Sequence, residues 1–595
     1  MRFTIIFLLA ILSLQTIAQD KQAQARMAEV ENNLIPYVPV KGCKGWNLIE
    51  RMKYYKVPGV SVAYKIDWAK AYGMADIARK MPATTETMFS AGSISKLLMA
   101  ATALKLVEDG KLSLDSPINN YLTSWKIKDN EFTKTTPVTL RMLLSHTAGT
   151  SQSSYFGLTP DKTEWPSIVD ILNGAPGSES RPVIVNSPPN KEFRYSGGGS
   201  MIAQMAIMDA TGRSFEELTQ RILFDKLAMP NSTFVQPLPS KYKNQASWAY
   251  SEQAWFKGMP YLYPQLAAAS LYSTPTDLAK FLIDIQKSYL GKGKVLGQEI
   301  TRQMLTPQAI VSDGGYKEQI GVGPFLLQRN SNKDPKGIYF EHTGVNAGFL
   351  AYGMASIEGG NGVVVMLNSG DVVSGLGMEI RRAVAKVYGW TNFLPQEVKP
   401  LALSEAELNA FTGRYRRSED EVVYIRREKN YLVEKINEGA DIYCFPVSKD
   451  SIAFTDFDVK GGFRSDNKGR VISLQTQWQQ EPMPRMGDNE FTPSEYLKKK
   501  RYTEAKEAFR KMNMNESQIT YLAYNLLNKK PHDLLSVRTI LELAEEQHPK
   551  SSMVYSRWGE FYLKSGDRNR AIESYRRAVA LNPNDQIAKE TLDKL

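Results

Sequence analysis

Apolar residues along this chain follow three different spacings, and each spacing marks a separate stretch. In the first, up to about residue 395, helical and strand periods alternate. Residues 47–55 carry apolar positions at helical spacing, Val57-Pro58-Gly59 interrupts them, and residues 60–63 form a short β-branched run. Residues 69–76 predict a second strand, and residues 84–89 lead into a helix whose body, 97–107, is apolar on nearly every side and must therefore be covered by other elements. Further helices are predicted over 139–150 and 200–210, from Thr211-Gly212-Arg213-Ser214-Phe215 onward, and after the strong start signal Ser273-Thr274-Pro275. Residues 321–328, 339–344, 347–355 and 362–368 then read as an antiparallel series, closed by a helix over 375–388.

The second spacing begins after a linker at 395–400. A short helix within 403–415 precedes alternating stretches such as 422–425 and 431–434, which predict a small β module over 401–487. The third is helical from Ser494 to the end and recurs at the period of tetratricopeptide units. Tyr555, Trp558, Gly559, Tyr562, Ala571, Tyr575, Ala578 and Pro583 occupy the packing positions of one unit, and Tyr521, Tyr524, Leu541, Ala544 and Pro549 repeat them more weakly. Such helix pairs over 494–595 either offer a concave surface to a protein partner or cap the molecule.

Composition narrows the class. With 595 residues, 42% hydrophobic and 23% charged, the chain is an ordinary globular one rather than a disordered one. The net charge of +11 is read as solubility or attraction to an anionic envelope, with no nucleic-acid partner expected. Arg2 and the apolar run 3–14, followed by Thr16-Ile17-Ala18, predict a secretory leader over 1–18 and an exported, periplasmic or extracellular protein with no transmembrane helix after its removal. Cys43 and Cys444 fall in different predicted domains, so either two free thiols or one long-range bridge is expected, and no disulfide framework.

Candidate chemistry lies at the mouth of the apolar helix. Ser93 and Lys96 are three residues apart and share one helical face. Ser93 stands where free N–H groups and the helix dipole favour a developing oxyanion. A lysine entering apolar surroundings is expected to drop from about 10.4 toward a value useful to a base. The bland alternative is a capping serine and a lysine that reaches solvent. Tyr195 precedes Gly197-Gly198-Gly199, which allow close approach of a ligand or of neighbouring backbone, and His342-Thr343-Gly344 sits on a strand against which a substrate backbone would lie. His146, near a helix end, is read as bonding backbone rather than as a base. A Gly-x-Ser-x-Gly elbow is absent, only two of the four histidines precede the C-terminal stretch, and no ligand-spaced His or Cys cluster occurs, so neither a Ser-His-Asp plan nor a metal or other cofactor is expected.

Ser93-x-x-Lys96, Tyr195-Ser196-Gly197 and His342-Thr343-Gly344 follow in that order. With PGVSVA from Pro58, LLSHTAGT, TGRSFEEL from Thr211, STPTDLAKF from Ser273 and EHTGVNAGF from Glu341, the chain over about 45–390 resembles the serine β-lactamase and penicillin-binding protein superfamily. The likeness is greatest to its class C-like branch of esterases and D-aminopeptidases. The resemblance implies an α+β fold over 19–395, a five-stranded antiparallel sheet flanked by helices beside a helical lobe. It also implies that the small β module is lipocalin-like. Ser93 would be the nucleophile, Lys96 and Tyr195 would share its proton, and the N–H groups of Ser93 and Val345 would hold the oxyanion, with His342, Thr343, Gly344 and Gly197 on the substrate side. Gly197 stands where the family usually has asparagine and His342 where it has lysine, which weakens the β-lactamase reading relative to an esterase or peptidase. A catalytically idle envelope-binding protein acting through its repeats is the alternative.

Overall fold

A computed structural model describes residues 21–595 except 43, 65–66, 161–164, 179, 252–255, 257, 314–315, 330–333, 371–374, 396, 440, 457–459, 477–478, 480, 530 and 584. The predicted leader and Cys43 lie outside the described residues. The chain forms two compact units, 1–396 and 397–595.

After a helix over 21–32, the first unit continues with α1 (Leu48–Tyr54), whose Asn47 side chain accepts from two free first-turn N–H groups. Strands β1 (Gly59–Tyr64), β2 (Trp68–Asp76), β3 (Met81–Pro82) and β4 (Phe89–Ser90) lead to α2 (Ile94–Glu108). The helical lobe includes α3 (Leu140–Leu144), α4 (Gly197–Thr211) and α5 (Leu266–Ala269), after which β5 (Tyr272–Ser273) pairs with β4. Helix α6 (Pro275–Tyr289), with Thr274 as its cap, then precedes β6 (Ala309–Asp313), β7 (Tyr316–Ile320), β8 (Phe325–Arg329), β9 (Ile338–Asn346), β10 (Phe349–Ser356), β11 (Gly362–Leu367) and α7 (Leu376–Val387).

Among the described residues the sheet has nine strands, all antiparallel, in the order β3-β2-β1-β11-β10-β9-β8-β7-β6. Strand alternation divides its two cores. Val363, Val365 and Leu367 of β11 pack with Leu376, Ile380 and Val384 of α7, whereas Val364 and Met366 join the core around α2. Every residue of β1, β10 and β11 is buried, as a sheet covered on both faces requires. Arg51 of α1 and Glu379 of α7 are paired beneath one face at 2.5–2.9 Å, with the Tyr55 hydroxyl donating to Glu379 Oε1 at 2.7 Å.

The sheet is wider than the five strands expected. Strands β6 and β7 form an edge hairpin whose Ser312, Asp313, Lys317 and Gln319 give no apolar alternation, and β3 is only two residues long. Helix α4 starts at Gly197 rather than Ser200. Glycine is a poor helix former, but here each glycine admits a neighbour: a Cβ would lie 2.9 Å from the Tyr155 ring at Gly197, 2.7 Å from Ser151 O at Gly198 and 2.9 Å from Thr150 Oγ1 at Gly199.

The second unit holds, among its described residues, eight strands from β12 (Gly413–Arg416) to β19 (Met483–Pro484), each paired with the next in sequence. A bridge between Tyr415 and Arg485 brings the first and last strands together, so the module is nearly closed around Leu432, Cys444, Phe454 and Leu474. Cys444 is a buried free thiol. Helices follow from Pro493 to Asp593. Glu495, at the start of this helical run, receives Arg414 Nη1 at 2.8 Å and the Tyr424 hydroxyl at 2.6 Å from the β module. At Gly559 a Cβ would lie 2.6 Å from the Tyr575 ring, which is why a small residue recurs where repeat helices touch. No described helix is long and apolar enough to cross a membrane.

Candidate active site

The turn into α2 is pinned before it reaches Ser93. Ala91 N donates to Leu271 O at 2.7 Å, Asn346 Nδ2 donates to Ser90 Oγ and Ala269 O at 2.8 Å each, and Gly92 takes the left-handed φ of 51° that the turn needs. Ser93 is the N-cap residue of α2, yet its side chain makes no capping bond. Lys96 Nζ donates to Ser93 Oγ at 3.0 Å and to Ala268 O at 2.7 Å, and the lysine is only 4% exposed. The capping serine with a solvent-reaching lysine is thereby excluded.

Tyr195 lies against this pair, its ring centroid 5.1 Å from Lys96 Nζ. His146 also packs against the tyrosine at 4.5 Å between centroids, and its Nδ1 accepts from Ser196 N at 3.3 Å. It thus bonds backbone, as its position at a helix end led us to expect. Burial, then the charge of Lys96, holds the His146 ring well below the ordinary histidine range. His342 is pushed down to about 3 by burial and by Lys96, partly opposed by its bond to Thr343. It is a neutral ring near pH 7. Its Nδ1 lies 2.8 Å from Thr343 O, an acceptor, so Nδ1 carries the proton and Nε2 presents a lone pair. That Nε2 is buried and has no partner among the described residues.

The backbone register directs Val345 toward Ser93. Asn346 pairs with Phe349 across a two-residue turn and Val345 with Leu350, so the closing pair exchanges its bonds and the Val345 N–H faces away from β10. Pairing with β8 ends at Phe325 opposite Glu341, which leaves β9 an open edge from His342 onward. A Cβ on Gly92 would come within 2.7 Å of Val345 N, and one on Gly344 within 1.8 Å of Ala91 O. Only glycines let the serine turn and this strand approach so closely.

Above Ser93 opens a cleft of about 580 Å³ whose walls include Tyr195, His342, Thr343 and Val345. Lys96 lies beneath it, while Gly344 and Gly197 serve as contact points behind the wall, Gly197 under the Tyr155 ring. Phe156, 73% exposed, and Val345, 45% exposed, make an apolar lip. Glu318 and Glu341 also line the cleft. Burial and then the charge of Glu341 raise the Glu318 carboxyl above its ordinary range, against a Ser312 hydrogen bond, while Glu341 pairs with Arg381 of α7.

The Beta-lactamase family matches residues 47–385, more than half of the chain. The chain belongs to the beta-lactamase family. A tetratricopeptide repeat matches residues 552–585. The protein is 24% identical over 286 residues to the teichoic acid D-alanine hydrolase of Staphylococcus aureus, covering 47% of this chain and 64% of that protein. It is 26% identical over 285 residues to the human mitochondrial serine beta-lactamase-like protein LACTB, covering 38% of this chain and 52% of that one. It spans less than two thirds of either relative's length. Among solved structures, the octameric penicillin-binding protein homologue from Pyrococcus abyssi matches with a TM-score of 0.52 at 22% identity, over 73% of this chain and 98% of that one. The expected α+β fold is therefore present.

Within this beta-lactamase-family cleft, three features escaped sequence reasoning. Tyr195 packs near both His146 and His342, at 4.5 and 6.4 Å between centroids, and two carboxylates reach the walls. Glu341 immediately precedes His342-Thr343-Gly344, so its neighbourhood to the site was open to sequence reading. Glu318 was not, because it sits on the edge hairpin whose strands carry no apolar signal.

Proposed function

We propose that the protein is an exported serine hydrolase that cleaves an ester or amide through an acyl-Ser93 intermediate. The observation that carries this reading is the 3.0 Å contact of buried Lys96 Nζ with Ser93 Oγ at the floor of an open cleft. Ser93 Oγ attacks the substrate carbonyl carbon and its proton passes to Lys96 or Tyr195, which we assign jointly as the base. The N–H groups of Ser93 and Val345 receive the oxyanion, an arrangement typically contributing several kcal/mol to barrier lowering. The leaving group departs with the transferred proton. Water, activated by the same pair, then attacks the acyl carbon and frees Ser93.

The neutral His342 ring lacks the fixed charge that would hold a carboxylate-bearing β-lactam, which favours an ester or D-peptide within the class C-like branch. Similarity to a teichoic acid D-alanine hydrolase adds weight to D-alanyl esters. His342, Thr343 and the open β9 edge would seat the substrate. The domain bounds 19–395, 401–487 and 494–595, a lipocalin-like role for the β module and a protein partner for the repeats are parts of the same proposal.

Purified protein treated with a fluorophosphonate, or with labelled penicillin, should carry the mark on Ser93, and Ser93→Ala should lose it. A turnover panel of nitrocefin, short acyl esters and D-alanyl amides then identifies the acyl donor. Absence of both labelling and turnover in a folded protein would instead support a binding protein acting through its repeats.

A further inference from the structure

We propose that His146 is a positioning residue for the reaction: it grips the chain on both sides of Tyr195 and so sets the phenol against the Ser93–Lys96 pair. This rests on the acyl-Ser93 reading, in which Lys96 and Tyr195 are jointly the base.

His146 stands where α3 ends. Ser145 closes that helix, Thr147 N donates back to Met142 O at 2.8 Å, and His146 between them takes a left-handed φ of 55°. Glycine, and after it asparagine, is the usual residue at such a helix end. A histidine there brings a side chain with an acceptor, and the structure uses it. Arg194 N donates to His146 O at 2.7 Å, and Ser196 N donates to His146 Nδ1 at 3.3 Å. The residues immediately before and after Tyr195 are thus both anchored to one histidine. Its ring also packs on the rings of Tyr195, at 4.5 Å between centroids, and of Phe193, at 6.0 Å.

The ring itself is buried, and with Nδ1 accepting from Ser196 its proton is on Nε2. Burial and the nearby charge of Lys96 keep it in that neutral form. No lone pair is left on it to take the Ser93 proton, so its effect reaches the reaction through Tyr195. Further bonds hold the two segments together without the ring: Asn190 N donates to Thr147 O at 2.7 Å and Asn186 N to Gly149 O at 3.0 Å. Removing the imidazole therefore frees the tyrosine while the segments stay docked.

The test is the rate constant at which a fluorophosphonate labels Ser93, measured for His146→Gly and His146→Asn, each with and without Tyr195→Phe. Both substitutions accept a left-handed φ, so backbone strain does not separate them. Asparagine Oδ1 stands as many bonds from the backbone as Nδ1 and restores an acceptor for Ser196 N; glycine does not. His146→Gly should slow labelling about tenfold or more, and His146→Asn should return it to within about threefold of wild type. In Tyr195→Phe protein, already slowed, His146→Gly should add less than about a twofold loss, since the group it positions is gone. A rate constant does not depend on how much of the protein is folded, which the labelling amplitude reads separately. Equal losses in the two backgrounds, or glycine and asparagine variants that label at one rate, overturn the proposal. If wild-type Ser93 takes no label, the acyl-enzyme reading fails and this inference with it. A labelled wild type whose rate shows no coupling between His146 and Tyr195 removes this inference alone.

Discussion

At the scale of single residues, the lysine decides whether the serine is a nucleophile or a helix cap. Lys96 reaches both Ser93 Oγ and Ala268 O, so Lys96→Met, close to it in length, should leave the helix packed while removing one of the two proposed proton acceptors. On the proposed mechanism kcat for an activated ester falls by about 10²- to 10⁴-fold, and Lys96→Arg does not restore it, since a guanidinium stays protonated. Steady-state kinetics beside far-UV circular dichroism checks both statements. Gly197 answers a different question. Restoring the asparagine usual to the family would drive a Cβ to 2.9 Å from the Tyr155 ring and 3.0 Å from Ser153 O. Gly197→Asn is expected to cost about 1–3 kcal/mol by overpacking, measured as a lower denaturant midpoint, and to bring no gain in nitrocefin turnover. Ser93 and Lys96 were legible in the sequence because three-residue spacing on a helix is a local fact. The packing of Tyr195 near two histidines was not, since it depends on β9 and the segment after α3 arriving from opposite ends of the unit.

At the scale of elements, the proposed catalysis depends on how closely β9 lies against the start of α2. Gly344→Ala would place a methyl group 1.8 Å from Ala91 O, and neither backbone has a flexible end to yield. The strand must then move by a fraction of an ångström to an ångström, shifting the Val345 N–H away from the oxyanion position. Misplacement on that scale costs about 100-fold. Gly344→Ala is therefore expected to lower kcat/KM for an activated ester by roughly that factor while the far-UV spectrum stays native. A variant with full activity would remove β9 from the proposed oxyanion hole. The same elements show where pattern reading succeeds and where it stops. Strands β1, β10 and β11 are buried on both faces, and their unbroken Val, Ala and Met runs are visible along the chain. Strands β6 and β7 join the sheet mainly by backbone pairing: three of the five β6 side chains are exposed, Lys317 to Gln319 are half-buried, and Ile320 alone among the described β7 side chains enters the core, so little in their composition distinguishes them from a loop. That is also why Glu318 enters the cleft unannounced.

At the scale of the whole molecule, the apolar cores do not cross from one compact unit to the other, and the second unit has one core in its β module and another among its helices, so a group buried in the β module acts on the unfolding of the second unit. Glu434 is such a group. It lies two residues after Leu432 on the same strand face, 4% exposed, with Oε2 lacking a partner among the described residues. Burial, only partly opposed by Arg417, pushes its carboxyl up to about 7. In the unfolded chain it returns to the ordinary value of about 4.3. Between those two values the folded state holds the proton and the unfolded state does not. The stabilisation is thus complete below about pH 4 and is lost progressively as pH rises to 7 and beyond, the difference between pH 5 and pH 8 being on the order of 2 kcal/mol. Denaturant unfolding followed at the two pH values should show the second unit weaker at pH 8. Glu434→Gln, which keeps the shape but cannot ionise, should be the more stable protein at pH 8 and should lose most of that difference. If wild type and Glu434→Gln share one pH dependence, the carboxyl is ionised inside the folded module, and a neutralising partner must be sought there.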